Sequence, residues 1–368
     1  MDAAPSEPSL DVSFDTPVVV IAFNRPHHAT RLVDLLRTVR PSHLLVVLDG
    51  PRPGVQGDAA ACAATARAFD AIDWPCKVET DVSPRNLGCG NRVRSGLDWA
   101  FARVERAIIL EDDIDPHPSF FAWAKAALDA FANDERIAAV NGHNPLVRWE
   151  AGSPTGGFLG RRDSVYGWAT WAHVWRAFRD AERNVSDAVH GDAFETLDPA
   201  TKGLMTWFAS QARRYGSTLS WDVAWSYWIV ATRRSVIVST VNLIHNLGIG
   251  PDATHQASGH DLLHTLPRYP AIPTFERAAH AREEVAAHVD RARTLLELLV
   301  RVENPGVARR LARASGLPLA SEMQLHLQPF VHADETRRWL RHLGRHGVPV
   351  AVVDTWLEIV TGARRHRA

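Results

Sequence analysis

The chain has 368 residues, of which 46% are hydrophobic and 23% charged, and a formal net charge of −1. This is the balance of an ordinary globular protein, long enough for a substantial core plus an appendage. Near-neutral charge argues against nucleic acid or an anionic membrane as the main partner. Three cysteines, Cys62, Cys76 and Cys89, without metal-type spacing argue against a disulfide framework.

Residues 1–15 are polar and acidic and read as a disordered leader without the basic start and apolar run of a signal peptide. No stretch approaches the roughly 18 consecutive apolar residues of a membrane span, so the expected location is cytoplasmic, at most peripheral to the inner face of a membrane. Pro17 to Phe23 is a continuous apolar run, the pattern of a strand buried on both faces, and it ends at Asn24-Arg25-Pro26. A helix follows with Leu32, Leu35, Leu36 and Val39 on one face. A second buried strand, Leu44 to Leu48, stops at Asp49-Gly50. Residues 58–71 read as a helix, Cys76 to Thr80 as a strand, Asn86 to Gly90 as a turn and 92–104 as a helix. The third strong strand, Ala107 to Leu110, runs directly into Glu111-Asp112-Asp113-Ile114-Asp115, and Pro116 and Pro118 open a helix through Phe131. Alternation of this kind specifies an α/β fold with a mostly parallel, doubly covered sheet. The middle, 140–260, is rich in Trp and Gly, and the tail from about 280 shows helical spacing at Val285, Val289, Ala292, Leu296 and Leu299.

Ligands of open α/β sheets bind outside the carboxyl ends of the strands, where Asp49 and Glu111-Asp112-Asp113 sit. Carboxylates alone would repel a nucleotide diphosphate, and a divalent cation between them resolves the conflict. The competing reading is that these acids merely cap the next helix, with Asp115 before Pro116 in that role. Asp222, among Trp221, Trp225, Tyr227 and Trp228, is a candidate general base; the alternative is a cap for a helix beginning at Val223. Arg25, Arg92 and Arg94 are candidate phosphate forks, Arg161-Arg162 candidate cleft residues, and His27-His28 a surface pair at a helix start.

These segments resemble, in order, those of the N-acetylglucosaminyltransferase I type of GT-A glycosyltransferase and its bacterial sugar-transferase relatives. The resemblance covers residues 16 to 260. It implies a Rossmann-like GT-A domain at 16–275 with a helical module at 276–368, a nucleotide-diphosphate sugar donor with UDP favoured, and Mn²⁺ or Mg²⁺ as cofactor. Val20 to Arg25 looks like the family's first strand, implying nucleotide contacts from Ala22, Asn24 and Arg25. Val47-Leu48-Asp49-Gly50 looks like its second, whose Asp contacts the uracil or ribose. Ile108 to Asp113 looks like its EDD variant of the DXD motif, implying Asp113 as the metal ligand, with Glu111 and Asp112 beside the ribose or donor sugar. Tyr166 to Trp171 resembles the Gly-Trp turn beside the sugar pocket, which implies a donor contact from Trp168. Trp221-Asp222 resembles the pair that supplies the base. Asn246-Leu247-Gly248 with Thr254-His255 resembles the loop that closes over the diphosphate, which gives His255 a place there. The sequence departs from the family where Val223 replaces a second carboxylate and where Gly96 stands near an expected His.

The implied acceptor is a glycan, a lipid-linked glycan or a small molecule, with the helical module open to a partner or to a second copy. A sugar-phosphate nucleotidyltransferase would carry a Gly-rich basic loop where Asn24-Arg25-Pro26 stands. A non-catalytic nucleotide-sugar-binding or scaffold subunit remains the alternative from another class.

Overall fold

The computed structural model describes residues 14–144, 156–160, 163–182 and 221–248, together with Glu195 and Arg268. His255, Arg161, Arg162 and the expected helical module at 276–368 lie outside the described residues. Strands β1 (Val18–Ala22), β2 (His43–Leu48), β3 (Lys77–Val82) and β4 (Arg106–Glu111) alternate with helices α1 (Pro26–Val39), α2 (Asp58–Ala68) and α3 (Cys89–Phe101). Then come β5 (Ile114–Pro116), α4 (Ser119–Ala130), β6 (Ile137–Asn141), β7 (Gly157–Gly160), β8 (Trp168–Trp171), α5 (Ala172–Ala181), α6 (Trp221–Ala231), β9 (Ser235–Ser239) and β10 (Ile244–Asn246).

Eight strands form one sheet in the order β3-β2-β1-β4-β8-β6-β9-β7, and β5 and β10 form a separate ribbon. This is a Rossmann-like α/β architecture whose first half is wholly parallel: β1 lies between β2 and β4, with Val18 opposite both Leu44 and Ile108. The apolar runs that flagged β1, β2 and β4 are the strands covered on both sides, and all five residues of β1 are buried. β8 and β7 run antiparallel to their neighbours, so the second half is mixed rather than parallel.

Right-handed crossovers place α1 and α2 on one face and α3, returning from β3 to β4, on the other. The chain therefore turns from one side of β1 to the other between β3 and β4, and the switch point falls between the carboxyl ends of β1 and β4. Gly96 marks how closely α3 lies on β2: a Cβ there would stand 2.3 Å from Val47 Cγ1. A side chain at this position would collide with the branched side chain of Val47.

Two local expectations are corrected. The helix after the acidic turn starts at Ser119, because Pro116 belongs to β5 and pairs with Ile244 of β10. Asp115 accordingly caps no helix; its carboxylate is held by Arg31 and Arg268. No helix among the described residues is long and apolar enough to cross a membrane.

Candidate functional site

The switch-point crevice brings together residues from four distant segments. Arg25, in the turn after β1, spans two neighbouring carboxylates: Nη2 donates to Asp112 Oδ1 and Nη1 to Asp113 Oδ2 at 2.9 Å. Asp112 is 1% exposed, and its Oδ2 is buried without a hydrogen-bond partner. Across the opening, the first turn of α6 carries Asp222, which acts electrostatically on Glu111, on Arg94 and on the Cys89 thiol. Cys89, at the start of α3, feels Glu111, Asp222, Asp113 and Arg25 together, which places these groups in one neighbourhood. Cys89 is exposed by surface area; desolvation, reinforced by the three acids, pushes its thiol up to about 12, so it stays protonated.

The acids repel one another. Burial, then Asp113 and Asp112, hold Glu111 well above its ordinary 4.5; burial, opposed by Arg25 and aided by Asp113, holds Asp112 above its ordinary 3.8. A carboxyl with a raised folded-state pKa stabilises the fold while protonated and loses that contribution as pH rises through the shifted value. His28 works in the opposite sense: burial and Arg25 lower it to about 4, so its effect ends once pH passes 6.5. The protein without ligand is therefore expected to lose thermal stability as pH rises from about 6.5 to about 8.5, and Glu111→Gln to flatten that decline. Thermal midpoints of the two proteins across this range check it; parallel curves would remove Glu111 as the cause.

The expectation of a surface pair at His27-His28 holds for only one of the two. His27 is exposed, but His28 is half-buried beside Arg25 and Asp113 as a neutral imidazole. Nothing local in the sequence separates the two; only the direction of the first turn of α1 does.

Other expected contacts are differently employed. Asp49 accepts from the backbone N–H of Gly50 (2.9 Å), Leu87 (2.9 Å) and Gly88 (3.2 Å) and from Asn86 Nδ2 (3.1 Å). Four donors fill the acceptor sites of a carboxylate, so Asp49 latches the 86–88 turn onto the end of β2. Asn24 donates to Asp58 Oδ1 at 2.6 Å, and the carbonyl of buried Ala22 accepts from Asp49 N–H. Arg92 is no phosphate fork: its buried guanidinium binds the carbonyls of Leu48 (3.1 Å) and Asp81 (2.6 Å) and the Asp81 carboxylate (2.7 Å). It pins α3 to the ends of β2 and β3. Arg94 ion-pairs Glu182 at 2.5 Å and remains near Asp222.

Trp168 and Trp221, expected near the donor, are packed into an aromatic cluster. Both are buried and stack with ring centroids 5.9 Å apart, in a cluster with Trp175, Phe178, Trp225 and Trp228. The Trp-rich middle of the chain builds the floor under α6. That helix is fixed to the sheet rim by Trp225 Nε1, which donates at 2.9 Å to buried Asp163; Asn141 at the end of β6 donates to the same carboxyl. Asp222 sits within α6 rather than ahead of it, so the capping alternative does not hold.

Leu247 and Gly248, after β10, lie against the acidic turn. Leu247 N–H donates to the Asp113 carbonyl at 2.7 Å, and a Cβ on Gly248 would lie 2.2 Å from Asp113 Oδ2. The resembling Asn-Leu-Gly segment does meet the acidic turn, and a side chain at 248 would have to displace the Asp113 carboxylate.

Among the described residues no three His, Cys, Asp or Glu side chains converge as a ready-made metal cage. Asp113, the expected ligand, is ion-paired with Arg25. The chemistry of the donor set nevertheless fits a cation that arrives with its own ligands. Two carboxylates share one guanidinium, one buried oxygen of Asp112 lacks a hydrogen-bond partner, and Mg²⁺-type sites commonly use one or two carboxylates plus phosphate and water.

No family model matches the chain, and no curated protein matches it. Among solved structures the chain is similar to a mannosyltransferase from Pyrobaculum calidifontis in complex with GDP-Man and Mn²⁺. The identity is 12%, covering 95% of this chain and 87% of that one, with a TM-score of 0.36. It is also similar to a mannose-1-phosphate geranyltransferase from Thermus thermophilus, at 11% identity over 62% of this chain and 75% of that one, with a TM-score of 0.30. Likenesses at these scores carry no argument about activity.

Proposed function

We propose that this chain is an inverting glycosyltransferase of the GT-A type, which moves a sugar from a nucleoside diphosphate to an acceptor hydroxyl. One observation carries the reading: Asp222 in α6 lies within electrostatic reach of Glu111 and of Cys89, which also feels Asp113 and Arg25, near the carboxyl ends of β1 and β4. An acid cluster for the donor opposite a lone carboxylate for the acceptor is the arrangement that a single displacement needs.

In that displacement the acceptor oxygen attacks the anomeric carbon as its proton passes to Asp222, and the bond from that carbon to the diphosphate oxygen breaks. Asp113, with Asp112 beside it, would hold Mn²⁺ or Mg²⁺; when bound, the cation supplies Lewis-acid stabilisation of the leaving diphosphate. Arg25 keeps the two carboxylates in register from the β1 side. Asp49 contributes by holding the 86–88 turn. UDP is favoured through the family resemblance, and the acceptor is open among glycans, lipid-linked glycans and small molecules.

A thermal-shift panel of UDP, GDP, dTDP and CMP, each with and without Mn²⁺, tests the donor site on wild type and Asp113→Ala. A ligand at about 100 times its Kd adds about 2.7 kcal/mol, well within reach of the assay. Stabilisation by one nucleoside diphosphate, dependent on Mn²⁺ and lost in Asp113→Ala, is the expected result. No response to any nucleotide would refute the transferase reading and favour a scaffold role.

A further inference from the structure

The acidic turn is gripped from behind as well as bridged in front. Arg31, on α1, donates from Nη2 to the carbonyls of Asp112 (3.3 Å) and Ile114 (3.0 Å) and from Nη1 to Asp115 Oδ1 (2.6 Å). Arg268 Nη1, 153 positions downstream of Asp115, donates to the Asp115 carbonyl at 3.0 Å and ion-pairs Asp115 Oδ2 at 2.9 Å. With Leu247 N–H on the Asp113 carbonyl, each of the four carbonyls from Asp112 to Asp115 has a named donor. A turn carrying four acids in five residues would otherwise splay under its own repulsion. Arg25 balances the cleft side, and Asp115, with both oxygens engaged by guanidinium groups, is a counter-anion rather than another cleft acid. Only a planar fork reaches two carbonyls and a carboxylate at once, which explains arginine rather than lysine at position 31.

We propose that Arg31, Arg268 and Asp115 form a positioning clamp that sets the backbone of the acidic turn, and through it the affinity of Asp112 and Asp113 for a cation–diphosphate ligand. This rests on the donor-site reading above. None of the three touches the reacting atoms; they act through the geometry of the turn, as outer partners of metal-holding groups do.

The test is calorimetric binding of UDP and of GDP, each with Mn²⁺, to the full chain as wild type, Arg31→Gln, Arg31→Lys and Asp115→Asn, with thermal midpoints recorded in parallel. Arg31→Gln is expected to weaken nucleotide binding about 10–100-fold, the range seen when outer-shell partners are lost, and to do so beyond any change in thermal midpoint. Arg31→Lys should weaken it nearly as much, since one ammonium cannot span the three acceptors. Should Arg31→Gln fail to fold, Asp115→Asn carries the same expectation through loss of the paired carboxylate. Wild-type affinity in the folded variants, or full rescue by lysine, overturns the clamp while leaving the donor site intact. Failure of wild type to bind either nucleotide overturns the donor-site reading, and the clamp falls with it.

Discussion

Asp222→Asn is expected to lower turnover about 10²–10⁴-fold, the usual contribution of a positioned general base. Asparagine keeps the shape and most of the polarity of the side chain but cannot take the acceptor proton. Donor affinity should hardly change, because the groups assigned to the cation and diphosphate, Asp112, Asp113 and Arg25, belong to other elements and are held by one another. Stability should change little as well. A half-buried acid in the first turn of a helix contributes about 0.3–1 kcal/mol through the helix dipole, so the thermal midpoint barely moves. Release of nucleoside diphosphate from the donor that the nucleotide panel selects, measured beside the Kd of that nucleotide, separates these effects. A variant that turns over at half the wild-type rate or better would reduce Asp222 to a dipole partner of α6 and leave the cleft without its base.

The parts of this cleft legible in the sequence are those with a local signature. Unbroken apolar runs at 17–23, 44–48 and 107–110 announce strands buried on both faces, and each is followed by the polar residue that a sheet of this kind presents at its rim. Glu111-Asp112-Asp113 stands out for that reason. What stayed hidden depends on partners far along the chain. β5 exists because Ile244 to Asn246 pair with it, and three residues ending in a proline, with a second proline two positions on, do not reveal that from within. Arg92 and Arg25 are both arginines near a turn, but the direction of α3 carries Arg92 under β2 and β3 while Arg25 stays at the cleft. Trp168, beside a glycine turn, reads in sequence as a donor contact, and Trp221 as the neighbour of the candidate base. In space they stack on one another, since burying two indoles together removes more apolar surface from water than leaving them at a rim.

Trp225→Ala is the substitution expected to cost the fold most. Its ring lies at the centre of the aromatic cluster, 5.3 Å from Trp228, 5.1 Å from Phe178 and 5.5 Å from Trp168 between centroids, and it is fully buried. Truncating a buried Trp to Ala typically costs about 3–5 kcal/mol. Here the change also strips buried Asp163 of the indole N–H, and leaving a buried acceptor short of a donor adds about 1–3 kcal/mol. Against a typical net stability of about 5–15 kcal/mol, the sum leaves the variant near or past its threshold. Trp225→Phe separates the two causes, because it keeps an aromatic ring but not the hydrogen bond and should lose mainly the smaller amount. Thermal midpoints of the two variants give the comparison, at roughly 2–4 °C per kcal/mol for a domain of about 150–250 residues. The milder variant also links packing to chemistry. Trp225 is one helical turn from Asp222, so freeing it from Asp163 loosens the start of α6 without touching the acidic turn. Turnover of Trp225→Phe should therefore fall while nucleotide affinity holds. Equal losses in both would mean that the aromatic floor supports the two walls of the cleft as one unit.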